Sequence, residues 1–171
     1  MNAPLSPQTL LRKEDQRLIT GTGQFTSDAW EAGSLHAVMV RSDHAHARFK
    51  ADWSCVLTAQ DIEAAGFSPL VNAVSVKDAQ GQPQVICRMP VLASSKVLYV
   101  GQPMAMVIAD TAELAANAAE LAEIDYDSLP CVVTYEDATA PGAVQLHEEA
   151  PGNTSVIFEA GDRAAVDAAF A

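Results

Sequence analysis

The chain has 171 residues, with 10 Lys and Arg against 22 Asp and Glu and a formal net charge of -12. So acidic a chain gains nothing from counterion release on nucleic acid and has no basic stripe for an anionic membrane surface, so neither is an expected partner. Its 49% hydrophobic and 19% charged content describe a soluble globular chain, long enough to bury one core.

The N-terminus, Met1-Asn2-Ala3-Pro4-Leu5-Ser6-Pro7, lacks the positive segment and apolar run of a secretory signal. No stretch approaches the length of apolar chain that a membrane span needs, so a cytoplasmic location is expected. The charged run Arg12-Lys13-Glu14-Asp15-Gln16-Arg17 suits an extended arm, and Thr20-Gly21-Thr22-Gly23 punctuates a turn. Residues 35–40 read as a strand. Arg41-Ser42-Asp43 interrupts it before His44-Ala45-His46-Ala47-Arg48-Phe49 resumes an alternating pattern. Val56-Leu57 is a short buried run, Thr58-x-x-Asp61 has the form of a helix-opening capping box, and Gly66 ends that helix.

Lys77-Asp78-Ala79-Gln80-Gly81-Gln82-Pro83 lies between β-like stretches 70–76 and 84–89, which predicts a hairpin. Met104-Ala105-Met106-Val107-Ile108-Ala109 has the pattern of a strand covered on both faces. Asp110 is placed to cap the following helix, with Glu113 bonding back, and Leu114, Ala118 and Leu121 recur on one face over 111–122. A strand is expected at 123–126, broken by Leu129-Pro130, with 131–134 continuing as strand or edge. Strand, helix and strand with short joints argue for a βαβ unit with a right-handed crossover. Residues 138–153 read as loop, and 161–171 open a helical pattern that stops without a cap.

Charge is distributed unevenly. Residues 1–96 balance, while beyond them thirteen acids face the single base Arg163, so the whole excess lies in the second part. Solvated faces account for this, or an acidic surface that meets a basic partner.

Cys55, Cys87 and Cys131 are widely separated, which reads as reduced, buried thiols rather than a metal knuckle. His44 and His46 form a His-x-His pair whose rings share one face on a strand. They could serve a metal with His36, Asp43 or Asp28, or be hydrogen-bonded imidazoles at a strand end. Gly21-Thr22-Gly23 lacks the third glycine of a dinucleotide fingerprint, because position 26 is Thr26, and no apolar strand precedes it. Gly101-Gln102-Pro103 either approaches a ligand through its backbone or sets the entry angle of the strand. No Ser, His and Asp set has a nucleophile elbow, so no catalytic, cofactor-binding or metal residue is assigned.

Five segments in order carry a resemblance: the run from Arg12 through Gly21-Thr22-Gly23-Gln24-Phe25; Leu35-His36-Ala37 leading to Arg41-Ser42-Asp43-His44-Ala45-His46-Ala47-Arg48; Tyr99-Val100-Gly101-Gln102-Pro103; Ala118-Ala119-Glu120-Leu121; and Glu123-Ile124-Asp125-Tyr126-Asp127-Ser128-Leu129-Pro130. Together they resemble the N-terminal α/β-hammerhead domain of the large subunit of molybdenum hydroxylases, the xanthine dehydrogenase, aldehyde oxidase and carbon monoxide dehydrogenase family.

The resemblance implies an α+β fold, an α/β-hammerhead with a mixed sheet and a βαβ unit. Residues 1–34 would form an extended arm, 35–140 the hammerhead, and 141–171 a linker and the start of a truncated molybdenum-cofactor-binding domain. It implies a non-catalytic structural piece of an oxidoreductase that oxidises aldehydes, N-heterocycles or carbon monoxide. Molybdopterin, iron–sulfur clusters and FAD belong to the whole enzyme and none to this chain. The expected partners are the remaining molybdenum-binding domains and the iron–sulfur and FAD subunits, with Arg41, His44, His46 and the Gly101-Gln102-Pro103 turn as contacts. The family usually carries a further short helix between Asp52-Trp53-Ser54 and Cys55-Val56-Leu57-Thr58; here it is missing, and an exposed sheet edge is one expected consequence. The alternative reading is a stand-alone acidic interaction module.

Overall fold

The structure, a computed structural model, describes residues 12–53, 56–71 and 74–171. Contacts divide the chain into a unit that ends at Leu35 and a second unit from His36 to Ala171.

The described part of the first unit, from Arg12 onward, holds two short helical turns. A short helix, α1 (Asp15–Ile19), buries none of its residues. It closes on the Thr20 hydroxyl, which donates to Gln16 O at 2.7 Å, and on Thr22 N, which donates to Arg17 O at 2.9 Å. Gly23 lies tight against it: an added Cβ would come within 2.6 Å of Leu18 Cδ2. The Gly-Thr-Gly element is therefore a helix exit. A 3₁₀ turn follows at Thr26–Asp28, where Asp28 Oδ2 accepts from Phe25 N at 2.9 Å.

Among the described residues the second unit holds six strands: β1 (His36–Arg41), β2 (Ala47–Ala51), β3 (Val56–Leu57), β4 (Lys96–Val97), β5 (Pro103–Ala109) and β6 (Ile124–Ser128). Four helices accompany them: α2 (Ala59–Ala64), α3 (Ala112–Glu120), α4 (Tyr135–Thr139) and α5 (Arg163–Phe170). The strands form two three-stranded sheets, ordered β1-β5-β3 and β4-β2-β6, and every ladder is antiparallel. The expected mixed sheet with a βαβ unit is thereby corrected. β1 and β3 occupy both edges of β5, so the chain leaving β5 through α3 has no place beside it, and β6 joins β2 instead.

The core lies where the inward positions of both sheets meet: Val40, Ala47, Phe49, Ala93, Val97, Met104, Ala105 and Val107 are buried, with Trp53, Ile124 and Tyr126 packed against them. Full burial of a side chain such as Met104 or Phe49 contributes roughly 1.5–3 kcal/mol. β1 shifts register between Val40 and Arg41, so Arg41 pairs with Pro103 and leaves the sheet turned towards the loop that precedes β5.

Several local expectations hold in form. In α2, Asp61 Oδ2 accepts from the Thr58 N–H at 2.8 Å and from the Thr58 hydroxyl at 2.7 Å. Gly66, at φ +81, ends the helix with Gly66 N on Glu63 O and Phe67 N on Ile62 O. The 77–83 turn is present, with Asp78 Oδ1 taking Gln80 N at 2.9 Å and Gln82 N at 2.7 Å. Among the described residues its flanks form no continuous ladder: they meet at the isolated bridges Leu70 to Met89 and Lys77 to Pro83 and where Gln84 N donates to Val76 O at 2.9 Å.

Other expectations are corrected. The cap of α3 is Thr111, whose hydroxyl accepts from Leu114 N at 3.1 Å, because the helix starts one residue later than an Asp110 cap needs. The packing face of α3 is Ala115 and Ala119, continued by Ala122 just past its end, while Leu114 and the C-cap Leu121 are exposed. Methyl side chains let α3 lie close on β1 and β5. Residues 131–134 form no ladder; Thr134 instead caps α4, accepting from Asp137 N at 3.1 Å. Within the segment read as loop, Asn153 at φ 54 gathers the chain: Nδ2 donates to Ala138 O and Val144 O at 2.9 and 2.8 Å, and Oδ1 accepts from Leu146 N at 2.8 Å. Cys131 is exposed and Cys87 partly so, against the expectation of buried thiols, and Cys55 lies outside the described residues. So does the Ser54-Cys55 junction of the missing segment, although β3 beyond it is an edge strand. Among the described residues no helix is long and apolar enough to cross a membrane.

Candidate functional site

The polar motifs singled out from the sequence converge where β1 ends and β2 and β5 begin. Gly101, at φ +86, makes a turn that L side chains rarely adopt, and this brings its backbone against Arg41 and Ser42. Gly101 N donates to Ser42 O at 2.6 Å, Ser42 N to Gln102 O at 3.0 Å, and Arg41 Nη1 to Gly101 O at 2.9 Å. Gln102 is buried, and its Oε1 accepts from Leu98 N at 2.7 Å. Of the two sequence readings of Gly101-Gln102-Pro103, this geometry supports the setting of the strand's entry, since the turn's polar groups bond within the protein.

Ser42 is buried as well, and its hydroxyl is spent locally, donating to His44 O at 2.9 Å and accepting from His44 N at 3.0 Å. The imidazole of His44 meets Asp43 rather than Ser42, with Nδ1 2.6 Å from Oδ1, and it stacks on Tyr126 at a centroid distance of 4.0 Å. Ser42, His44 and Asp43 are therefore neighbours without the serine-to-imidazole bond that nucleophilic catalysis requires.

His46 has different surroundings. β2 begins at Ala47, so the His-x-His pair sits in the preceding turn rather than on a strand, and the two rings do not share partners. His46 is 6% exposed; its Nδ1 donates to Pro130 O at 2.6 Å, which fixes the tautomer of the neutral ring, and its backbone O accepts from Leu129 N at 2.9 Å. Nε2 is buried and has no hydrogen-bond partner among the described residues. His36 lies at the far end of β1, and among the described residues no three His, Cys, Asp or Glu side chains come together as a metal site.

Tyr126 was not singled out from the sequence. Burial pushes its phenol above the usual range, the Ser42 hydroxyl opposes this, and the charge of Asp43 reinforces it. Its hydroxyl lies 3.5 Å from Met104 Sδ. Ser42 and Gln102 lay inside quoted motifs, but only the fold shows that they are buried and bonded.

Away from this junction, a cleft of ≈ 650 Å³ is lined by Phe49, Trp53, Val56 and Met104 with Lys50 and Asp61 at its polar side. On the exposed face of the second sheet, Arg48 is in register with Asp127 and Lys50 with Asp125, so part of the acidic excess lies opposite bases.

Residues 20–130 match the a/b hammerhead domain of aldehyde oxidase and xanthine dehydrogenase. The gamma subunit of the 6-hydroxypseudooxynicotine dehydrogenase complex of Paenarthrobacter nicotinovorans is 38% identical over 149 residues, which cover 81% of this chain and 18% of that one. The carbon monoxide dehydrogenase large chain of Hydrogenophaga pseudoflava is 36% identical over 179 residues, covering 93% and 21%. A solved Cu,Mo-CO dehydrogenase superposes with a TM-score of 0.69 at 31% identity, over 94% of this chain and 22% of its own. The chain thus spans about a fifth of the length of these relatives. With its two antiparallel sheets and its match from residue 20 to 130, the chain belongs to the a/b hammerhead domain family of aldehyde oxidase and xanthine dehydrogenase.

Proposed function

We propose that the chain is a non-catalytic structural piece of a molybdenum-dependent hydroxylase large subunit, with residues 1–34 as an arm, 35–140 as the hammerhead and 141–171 leading towards the molybdenum-binding domains. The observation that carries this reading is the family match over a segment equal to about a fifth of the relatives' length. Oxidation of an aldehyde, an N-heterocycle or carbon monoxide belongs to the whole enzyme in the cytoplasm. There the iron–sulfur and FAD subunits carry electrons away.

Among the described residues no three His, Cys, Asp or Glu side chains converge, and the polar groups of the Arg41–Pro103 turn are bonded to one another, which supports a structural rather than a ligand-holding role. The C-terminal helix supports a packing role. All of α5 is exposed, with Phe170 at 89%, and an isolated helix of eight residues is marginal in water without a body to pack on.

The test is to produce the chain together with the large chain of the Hydrogenophaga relative from which its own hammerhead portion has been removed. Co-purification in equal amounts is expected; two proteins that elute separately would contradict the reading.

A further inference from the structure

The pattern of β5 predicted cover on both faces, and among the described residues only one is covered. Register separates the faces of the first sheet. Val38 is opposite Val107 and Val40 opposite Ala105, and of these Val40, Ala105 and Val107 are buried. The alternate positions form two cross-strand rows, Ala37 with Ile108, and Met39 with Met106 and Leu57. All five are apolar, yet Met39 is 40% and Ile108 38% exposed, Ala37 is exposed, and Met106 and Leu57 are only partly buried.

A half-solvated antiparallel sheet alternates apolar and polar residues, whereas a sheet apolar on both faces is one packed between two layers. This face has no ionisable side chain except Arg41 at its end, and that guanidinium is tied to Gly101 O. The acidic excess lies beyond residue 96, none of it in these rows, so the missing layer is apolar rather than basic.

We propose that the outer face of the β1-β5-β3 sheet, centred on Met39, Met106 and Ile108, is the seat of an apolar layer contributed by the remainder of the large subunit. The length of the relatives argues for this occupant, since about four fifths of their residues lie beyond the part matched here. The proposal rests on the function proposed above and names the surface through which it is exercised.

The experiment compares three forms of the 171-residue chain, each co-produced with the Hydrogenophaga large chain that lacks its hammerhead portion. They are the unsubstituted chain, the double variant Met39→Glu with Ile108→Glu, and a control, Val133→Glu with Leu121→Glu, altered at exposed apolar positions elsewhere. Circular dichroism of each chain alone shows whether it folds. The expected result is a loss of at least tenfold in co-purification for the Met39 and Ile108 variant and little change for the control. Undiminished co-purification of a folded Met39 and Ile108 variant overturns the docking face and leaves the function reading standing. Failure of the unsubstituted chain to co-purify overturns both. A chain that dimerises alone, with dimers dissolved by the double variant, shows a self-association surface and overturns the proposed occupant.

Discussion

The imidazole of His44 lies nearly flat on the phenol of Tyr126, with ring centroids 4.0 Å apart and planes inclined by 18°. This contact joins the turn between β1 and β2 to β6, and it places the ring between Asp43 and the core. Replacing His44 by Ala should cost about 1 kcal/mol, the typical worth of an aromatic pair, and His44→Phe should recover most of it. Urea unfolding midpoints of the two variants measure the difference.

The same phenol gives a pH dependence. Burial holds the Tyr126 pKa above its ordinary value of 10.0. The neutral ring is thus favoured by folding: its contribution is full below pH 10 and is lost as pH rises through the higher folded value. Tyr126→Phe should flatten this alkaline loss, read from thermal midpoints between pH 9 and pH 11. An unchanged slope contradicts the assignment.

At the acid end the sign reverses. The Thr58 hydroxyl and the Thr58 N–H hold the Asp61 carboxyl below its ordinary 3.8. Its contribution is present above that value and fades as pH falls through the lower folded pKa, so α2 should lose protection from amide exchange as the pH is taken below 3.8. In Asp61→Asn this acid-dependent change should be absent.

Gly101→Ala isolates backbone strain. An added Cβ meets nothing within 4 Å, so the cost comes from φ +86 alone, about 1–2 kcal/mol, and Gly101→Asn should cost less. Chemical denaturation ranks the three forms.

Much of this architecture is legible in the residues. The strand at β1, the apolar run of β5, the Thr58 to Asp61 box and the Gly66 stop all follow from local periodicity or capping, whose causes lie within a few residues. What failed were relations set by distant chain. Nothing local says that β1 and β3 fill both sides of β5, which turns an expected crossover into a bridge between two sheets. The leucines of α3 outweigh its alanines in any hydropathy pattern, yet close approach to β1 and β5 selects Ala115 and Ala119. α4 was readable: Thr134-x-x-Asp137 repeats the capping form of Thr58-x-x-Asp61. At the candidate site, the motifs fell in the right place, but the roles of Ser42, His46 and Gln102 depend on partners up to 84 residues away.

Asn153 should be the most costly polar side chain to remove from the segment after α4. Asn153→Ala loses three hydrogen bonds and the residue type that tolerates φ 54, about 2–3 kcal/mol together. Limited proteolysis should then cut between 138 and 153 faster than in the unsubstituted chain.

If this chain supplies structure and not a cofactor site, the molybdopterin released from denatured protein decides it, measured per chain by the fluorescence of the oxidised pterin, in a host that makes the cofactor. The chain purified alone should release none, and the co-purified assembly with the Hydrogenophaga remainder should release close to one per complex. One tightly held molybdopterin per isolated chain would contradict the account.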